Sequence, residues 1–404
     1  MVLLILILLL IISGCAKEEE TITLTFTPDV PEVESEPLLV SLDMPATDTA
    51  ARDTPAPFVL APTFTPLPTL TPIPTATAAA ATPVVLLNKE DFGTDRNPLT
   101  GELLDDSTNL DRRPIAVKIS NAPAKWVRPQ SGLGQADIVF EHVTEGLITR
   151  FTAIIYGQTP EKLGPIRSAR LIDLQIPLMY DSALAYSGSS IGVSRKLFAS
   201  KFRSSILRTN VSGYYRTGEA KPYEHTLYAI PEELWEVLER RELNRKPELS
   251  DLLTFTTEPP ANGEQAGTVK INYRDWTIIE WRYNKGSYFR WADGDRHIDA
   301  NTGKQISASN VIVIFADHSL DRSICEYQSG GTCLAYSTEI DLLGSGEAIL
   351  FRNGYQYDIE WRRSKDHDML TFYDSLGNPM PLNIGNSWFQ IIPNIYPDPV
   401  SISP

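Results

Sequence analysis

Cysteine, histidine and methionine are scarce in this 404-residue chain, with three, five and five copies. Three cysteines exclude a scaffold held together mainly by disulfides. The histidines, His142, His225, His297, His318 and His367, include no pair at i, i+4 spacing, so no metal motif stands out and no cofactor is expected. Positive charge is also in deficit: 36 Lys and Arg against 51 Asp and Glu leave a net charge of −15, which opposes the surface that nucleic acid requires. No segment of 20 to 50 residues recurs. What the chain does have is 42% apolar and 9% aromatic content, enough to fill the cores of two or three domains.

The longest apolar run, residues 2–12, covers about half of the roughly 20 residues a helical span needs, a length that suits a signal-peptide core. No Lys or Arg precedes it, whereas a secretory signal normally carries a basic start. The run ends in Ile12-Ser13-Gly14-Cys15, which resembles the lipobox of bacterial lipoproteins, where the cysteine thiol is acylated. Residues 1–14 are therefore expected to be a signal peptide and Cys15 the lipid attachment point, with the lipid bilayer as partner. The remaining cysteines stand in Cys325-Glu-Tyr-Gln-Ser-Gly-Gly-Thr-Cys333, where the glycine pair lets the chain turn back. An oxidising compartment favours their pairing, and a nine-residue loop so closed would gain about 2.6 kcal/mol in the chain-entropy model. Zinc would need two further ligands, and none lies close by.

Residues 15–53 form an acidic segment expected to be disordered, and residues 54–90 a Pro/Thr-rich stalk whose uncharged portion, residues 54–85, holds eight of the 30 prolines. Such a tract favours extended conformations of about 3.1 Å per residue and reads as a spacer. Residues 97–243 carry short β-rich runs at Pro114–Ser120, Ala136–His142 and Thr149–Tyr156, followed by helical stretches at residues 171–180, 193–202 and 231–240. This pattern predicts an α/β-type domain with a mixed sheet. Residues 253–393 alternate strand-length runs with turn signals such as Asn353-Gly354 and show no clear helix, which predicts a mostly antiparallel β domain. The fold class expected overall is α+β.

The segments Arg128-Pro-Gln-Ser-Gly-Leu-Gly-Gln-Ala-Asp-Ile-Val-Phe-Glu141, Glu145-Gly-Leu-Ile-Thr-Arg150 and Gly164-Pro-Ile-Arg-Ser-Ala-Arg170 resemble the YerB-like lipoproteins, the family built on domain of unknown function 3048. Asn310-Val-Ile-Val313 and Gly385-Asn-Ser-Trp-Phe-Gln-Ile-Ile-Pro393 are similar to that family's C-terminal domain. The resemblance spans about residues 97–393. It implies a lipid-anchored envelope protein with no assigned reaction, and aligns the family's Gly-Gly-Ser with the neighbourhood of Gly188 and Ser189. The family's Pro-His-Asn-hydrophobic-Tyr segment appears here as Pro222-Tyr-Glu-His-Thr-Leu-Tyr228.

Arg150, Arg167 and Arg170 lie beside strand ends and a Gly-Pro turn, and each guanidinium offers a rigid fork suited to carboxylate or phosphate. With Glu145, Ser168, Asp173, Ser189, Tyr223 and His225 they make a candidate site for an anionic envelope component or an envelope protein. Asp173 falls on the face of Arg170 if a helix starts at Leu171, and His225 is a candidate ligand or general base. Two alternatives stand beside this one. The first is a hydrolase of cell-wall or related polymer that uses His225 with Asp173, Glu145 or Ser190 as acid, base or nucleophile, Gly188-Ser-Ser-Ile-Gly192 fitting a nucleophile elbow around Ser190. A closed salt-bridge network would instead make it a non-catalytic assembly protein. Asp293-Gly-Asp-Arg-His-Ile-Asp299 lacks the bidentate glutamate of an EF-hand loop and reads as a hairpin turn.

Overall fold

The computed structural model describes residues 86–404, apart from 147, 251–252, 274–276 and the side chain of Lys89. The expected signal peptide, Cys15, the acidic segment and nearly all of the stalk lie outside the described residues.

The principal strands are β1 (Ile115–Ser120), β2 (Ile138–Val143), β3 (Thr149–Ile155), β4 (Ala183–Tyr186), β5 (Ile206–Arg208), β6 (Thr268–Tyr273), β7 (Thr277–Asn284) and β8 (Ser287–Ala292). They continue with β9 (Asn310–Ser329), β10 (Thr332–Asp341), β11 (Gly344–Arg352), β12 (Tyr355–Arg363), β13 (Thr371–Tyr373), β14 (Ser387–Pro393) and β15 (Val400–Ser403). The larger sheet runs β13-β12-β11-β9-β14-β2-β3-β1-β4-β5, with β10 paired to β9. It is mixed: β9, β14 and β2 run parallel to one another, as do β1, β4 and β5, while β3 lies antiparallel between β2 and β1. A second, antiparallel sheet runs β8-β7-β6-β15. The chain is α+β.

Burial explains which sequence runs become which strands. Every residue of β1, β2, β3, β4 and β14 is buried, because both faces of the larger sheet are covered. Strands β6 and β8 instead alternate, presenting one face to the core. Helix α1 (Ile191–Ala199) lies on one face of the larger sheet, with Val193 and Leu197 in the core shared by Ala116, Ile154 and Leu184. Helix α2 (Pro231–Arg240) and the second sheet cover the other face, where Leu234, Trp281 and Val269 meet Ile115, Val117 and Ala153. Proline opens α2 and two acids fill its first turn, a favourable start on both steric and dipole grounds. The helix expected over residues 171–180 is two short pieces, a 3₁₀ turn at Leu171–Leu174 and one α turn at Ile176–Met179. Pro177 has no N–H with which to continue the first into the second.

The two parts distinguished by sequence grammar meet inside the larger sheet, since β14 pairs in parallel with β2 over five residues. A buried polar network crosses the same seam. Arg290 Nη2 donates to Glu141 Oε2 at 2.7 Å with both side chains fully buried. Glu141 also accepts from Asn121, Thr149 and Trp388, and Tyr273 donates to Gln390. His297 donates from Nε2 to Gln130 and accepts from Arg290 at Nδ1, which requires the neutral ring. Burial and the facing Arg290 hold His297 well below the usual histidine range. The Asp293-Gly294 pair forms the hairpin turn expected there, with φ of +55° and +89°.

Candidate functional site

Strand β1 changes partner along its length, and Arg150, opposite Ser120, and Arg167, bonded to Lys118 O, lie where it does. Its first three residues pair with β4, Ile115 with Ala183 through Val117 with Ala185. Beyond Val117 the segment after the Gly164-Pro165 turn takes over. Arg167 N donates to Lys118 O, Ser120 N donates to Pro165 O, and Ile119 bridges Ile166. This wedge parts β1 from β4 at their carboxyl ends and turns residues 167–169 toward residues 187–188, where Ser187 N donates to Arg167 O and Ala169 N to Gly188 O. Crevices outside the carboxyl ends of parallel strands are where open α/β sheets bind ligands.

Arg150, near the start of β3, is buried and donates Nη1 to Ser168 O at 2.8 Å. Burial comes first, and Arg170 and Arg167 add to it, in pulling the Arg150 guanidinium down to about 9. Arg167 makes no ion pair within 4.0 Å among the described residues, and its buried Nε has no hydrogen-bond partner. Its pKa is lowered mainly by burial, against the pull of Glu224. His225 is buried beside it, with Nδ1 unpartnered and Nε2 3.9 Å from Glu224. Burial and then Arg167 push His225 down, so the ring is neutral at pH 7. Ser168 and Ser189 flank the Gly188 turn, and Ser189 also edges a shallow depression of about 530 Å³ along α1 with Phe198 and Arg195.

Arg170, Glu145, Asp173 and Tyr223 are already engaged. Arg170 Nε donates to Glu145 Oε2 at 2.5 Å, and its Nη1 lies 3.6 Å from Glu326 Oε2. Asp173 does not reach the Arg170 guanidinium. The 3₁₀ turn sends its carboxylate inward, where it accepts from Arg170 N, Thr152 Oγ1 and the fully buried Lys118 Nζ. Lys118 also donates to His142 Nε2 at 2.7 Å, and burial lowers its own pKa to about 8. Tyr223 is exposed and stacked by Arg216, whose guanidinium carbon lies 3.3 Å from the ring centroid. It shares a 3₁₀ turn with Glu224 and His225.

The elbow arrangement is not formed. Ser190 caps α1 through Val193 N, and its hydroxyl donates to Glu326 Oε1 at 2.8 Å rather than to a histidine. Both glycines of the motif have structural causes: Gly188 adopts φ +76°, and a Cβ at Gly192 would stand 2.6 Å from Ile324. Glu326, absent from the sequence reading, lies 136 residues from Ser190 and left no local mark of its role. The Cys325–Cys333 disulfide is formed, with a Cα–Cα distance of 5.8 Å.

Two family models match the chain: the N-terminal domain of the protein of unknown function DUF3048 over residues 99–244, and its C-terminal domain over residues 269–389. The Bacillus subtilis (strain 168) protein named "Putative lipoprotein YerB" is 32% identical over 314 residues, covering 76% of this chain and 88% of the relative. The chain belongs to the YerB-like DUF3048 family. The crystal structure of YerB from B. subtilis superposes with a TM-score of 0.64 at 28% identity, covering 76% of this chain and 99% of that one. The matched regions include Arg150, Arg167, Arg170 and His225 and the β9–β10 arm that carries Glu326. Among the described residues no helix is long and apolar enough to cross a membrane.

Proposed function

We propose that this YerB-like protein is lipid-anchored through Cys15 on the extracytoplasmic face of the membrane, and that its head binds an anionic envelope component in the crevice of Arg150, Arg167 and His225. The anchor is supported by the Ile12-Ser13-Gly14-Cys15 pattern and by the name of the B. subtilis relative. The disulfide suits an oxidising compartment. Anion binding is carried by one observation: Arg167 and Arg150 bring two guanidinium groups together without a carboxylate ion pair, and Arg167 Nε and His225 Nδ1 are buried with no partner. Buried polar groups are usually hydrogen-bonded, and guanidinium N–H donors left unpaired suit an oxyanion.

The hydrolase reading loses its serine–histidine pair, because Ser190 is bonded to Glu326. The assembly reading keeps one point in its favour, the Arg170–Glu145 pair, which closes one side of the cluster. Thermal denaturation of the full chain with phosphate, muropeptides and sugar acids separates the binding and assembly readings. A ligand at about 100 times its Kd stabilises by about 2.7 kcal/mol, which raises Tm by about 4 °C for a cooperative unit of this size. That shift should vanish in Arg167→Ala. An unchanged Tm across the panel supports the assembly protein instead.

A further inference from the structure

One face of the head runs against the chain's general excess of acid. Between Asp181 and Glu219 stand six Lys and Arg and no Asp or Glu, in a chain whose net charge is −15. Five of the six fall between the start of α1 and the end of β5. Two are matched by acids from elsewhere in the fold, Lys196 by Asp321 at 3.0 Å and Lys201 by Asp366 at 3.2 Å. Arg195, Arg203 and Arg208 are exposed and make no ion pair within 4.0 Å among the described residues.

Apolar side chains share this face. Ile191 and Phe198 are seven positions apart in α1 with Arg195 between them, a spacing that puts all three on one side of the helix. Val193 and Leu197 are buried on the other side, so the core holds the stripe outward. Ile191 is 74% and Phe198 42% exposed, and the Arg208 guanidinium carbon lies 5.3 Å from the Phe198 ring centroid, which joins β5 to the same stripe. Cations around exposed Ile and Phe are the two-part surface that an interfacial helix offers to a bilayer, charge at the headgroups and apolar side chains at the acyl boundary. A soluble anion would use the arginines and leave Ile191 bare.

Resting on the Cys15 anchor proposed above, we infer that the α1–β5 face is a membrane-docking surface, with Arg195 and Arg208 at the phosphates of anionic lipid and Ile191 and Phe198 at the acyl boundary. The anchor keeps the head near the bilayer, so weak contacts suffice. The uncharged tract at residues 54–85 acts as a tether that lets the head return to the surface. Residues 86–404 outside this stretch are acidic on balance, so an anionic membrane repels the other faces and selects this one.

The test is flotation of residues 16–404, which keep every described residue and lack the cysteine that would be acylated, with vesicles of phosphatidylcholine alone or of equal parts phosphatidylcholine and phosphatidylglycerol. Binding should be about tenfold stronger to the anionic vesicles and should weaken with added salt. Each basic residue at an anionic surface contributes about fivefold, so Arg195→Gln/Arg208→Gln should lose about 20-fold. Ile191→Ser should also weaken binding, with Tm unchanged because the side chain is exposed. Lys285→Gln/Lys304→Gln removes two exposed cations from the side of the second sheet and should bind as the parent does. Equal binding by the parent and Arg195→Gln/Arg208→Gln, no preference for anionic vesicles, or no binding at all would overturn the docking face. Binding that appears only in residues 54–404 would overturn it too, by making the ten acidic residues of the 16–53 segment the occupant. No acyl chain takes part, so each of these results leaves the Cys15 anchor standing; the anchor fails separately, if the Cys15-bearing chain incorporates no labelled palmitate.

Discussion

Replacing Asp173 tests how the polar interior beneath the crevice is balanced. Lys118 and Asp173 form an ion pair at 2.9 Å with both side chains fully buried, and Arg150 and Arg170 add positive charge close by. Asp173→Asn keeps the shape but leaves the buried Lys118 ammonium without an anionic partner. Breaking a buried pair from one side costs about 3–5 kcal/mol, a large share of a typical total of about 5–15 kcal/mol. Lys118→Met/Asp173→Leu removes both charges and should recover at least half of that loss. The two residues are thus strongly non-additive. Urea denaturation at pH 7.5 measures all three stabilities. The pH dependence follows the Lys118 proton. Its folded pKa of about 8 lies below the ordinary 10.5, so the unfolded chain holds the proton more tightly. The Lys118 contribution to stability therefore rises with pH between those values. Without Asp173 the folded pKa falls further, so the penalty of Asp173→Asn should shrink between pH 7 and 9. A single-variant cost below about 1 kcal/mol, or a double variant as unstable as the sum of the singles, would refute this account.

Acid should weaken the fold. His142 and His297 are held well below the ordinary value by burial, His225 is lowered, and His318 is pushed down to about 4, so the unfolded chain takes up more protons as pH falls from 6.5. Asp137, raised to about 6 by burial, works the other way with one group against four. Tm should fall between pH 7.5 and 5, and a Tm that rises would contradict the histidine assignment. The Glu141–Arg290 pair and the β14–β2 pairing predict that residues 97–393 unfold in one calorimetric transition; two separated transitions would show that the seam is weak. Gly164→Ala should destabilise by about 2 kcal/mol or more, because φ is +150° and a Cβ would meet the Tyr228 ring at 2.7 Å. A urea midpoint unchanged by that substitution would mean that the turn adapts.

The strands with both faces buried were legible because β-branched and aromatic runs such as Ile115–Ser120 admit little else, and the Asn353-Gly354 turn was legible from its left-handed requirement. Parallel pairing of β14 with β2 was not, since contacts between distant segments leave no local pattern. The same limit applied to the arm: Val311–Phe315 reads as a strand, while residues 317–329 are mostly polar, with Ile324 the one buried apolar side chain, and continue it only by pairing with β10. Within the site, the arginines stood out by residue type and the Gly-Pro turn. Glu145 was named beside them and pairs with Arg170, but Asp173, turned by the 3₁₀ segment to Lys118, and Glu326, delivered by a bulge, were not legible in those roles.

Crystals soaked in tungstate, a heavy phosphate analogue, would test the anion site by position. The account predicts anomalous density between Arg150, Arg167 and His225, lost in Arg167→Ala. Density confined to the surface, or an unoccupied crevice at saturating tungstate, would contradict it.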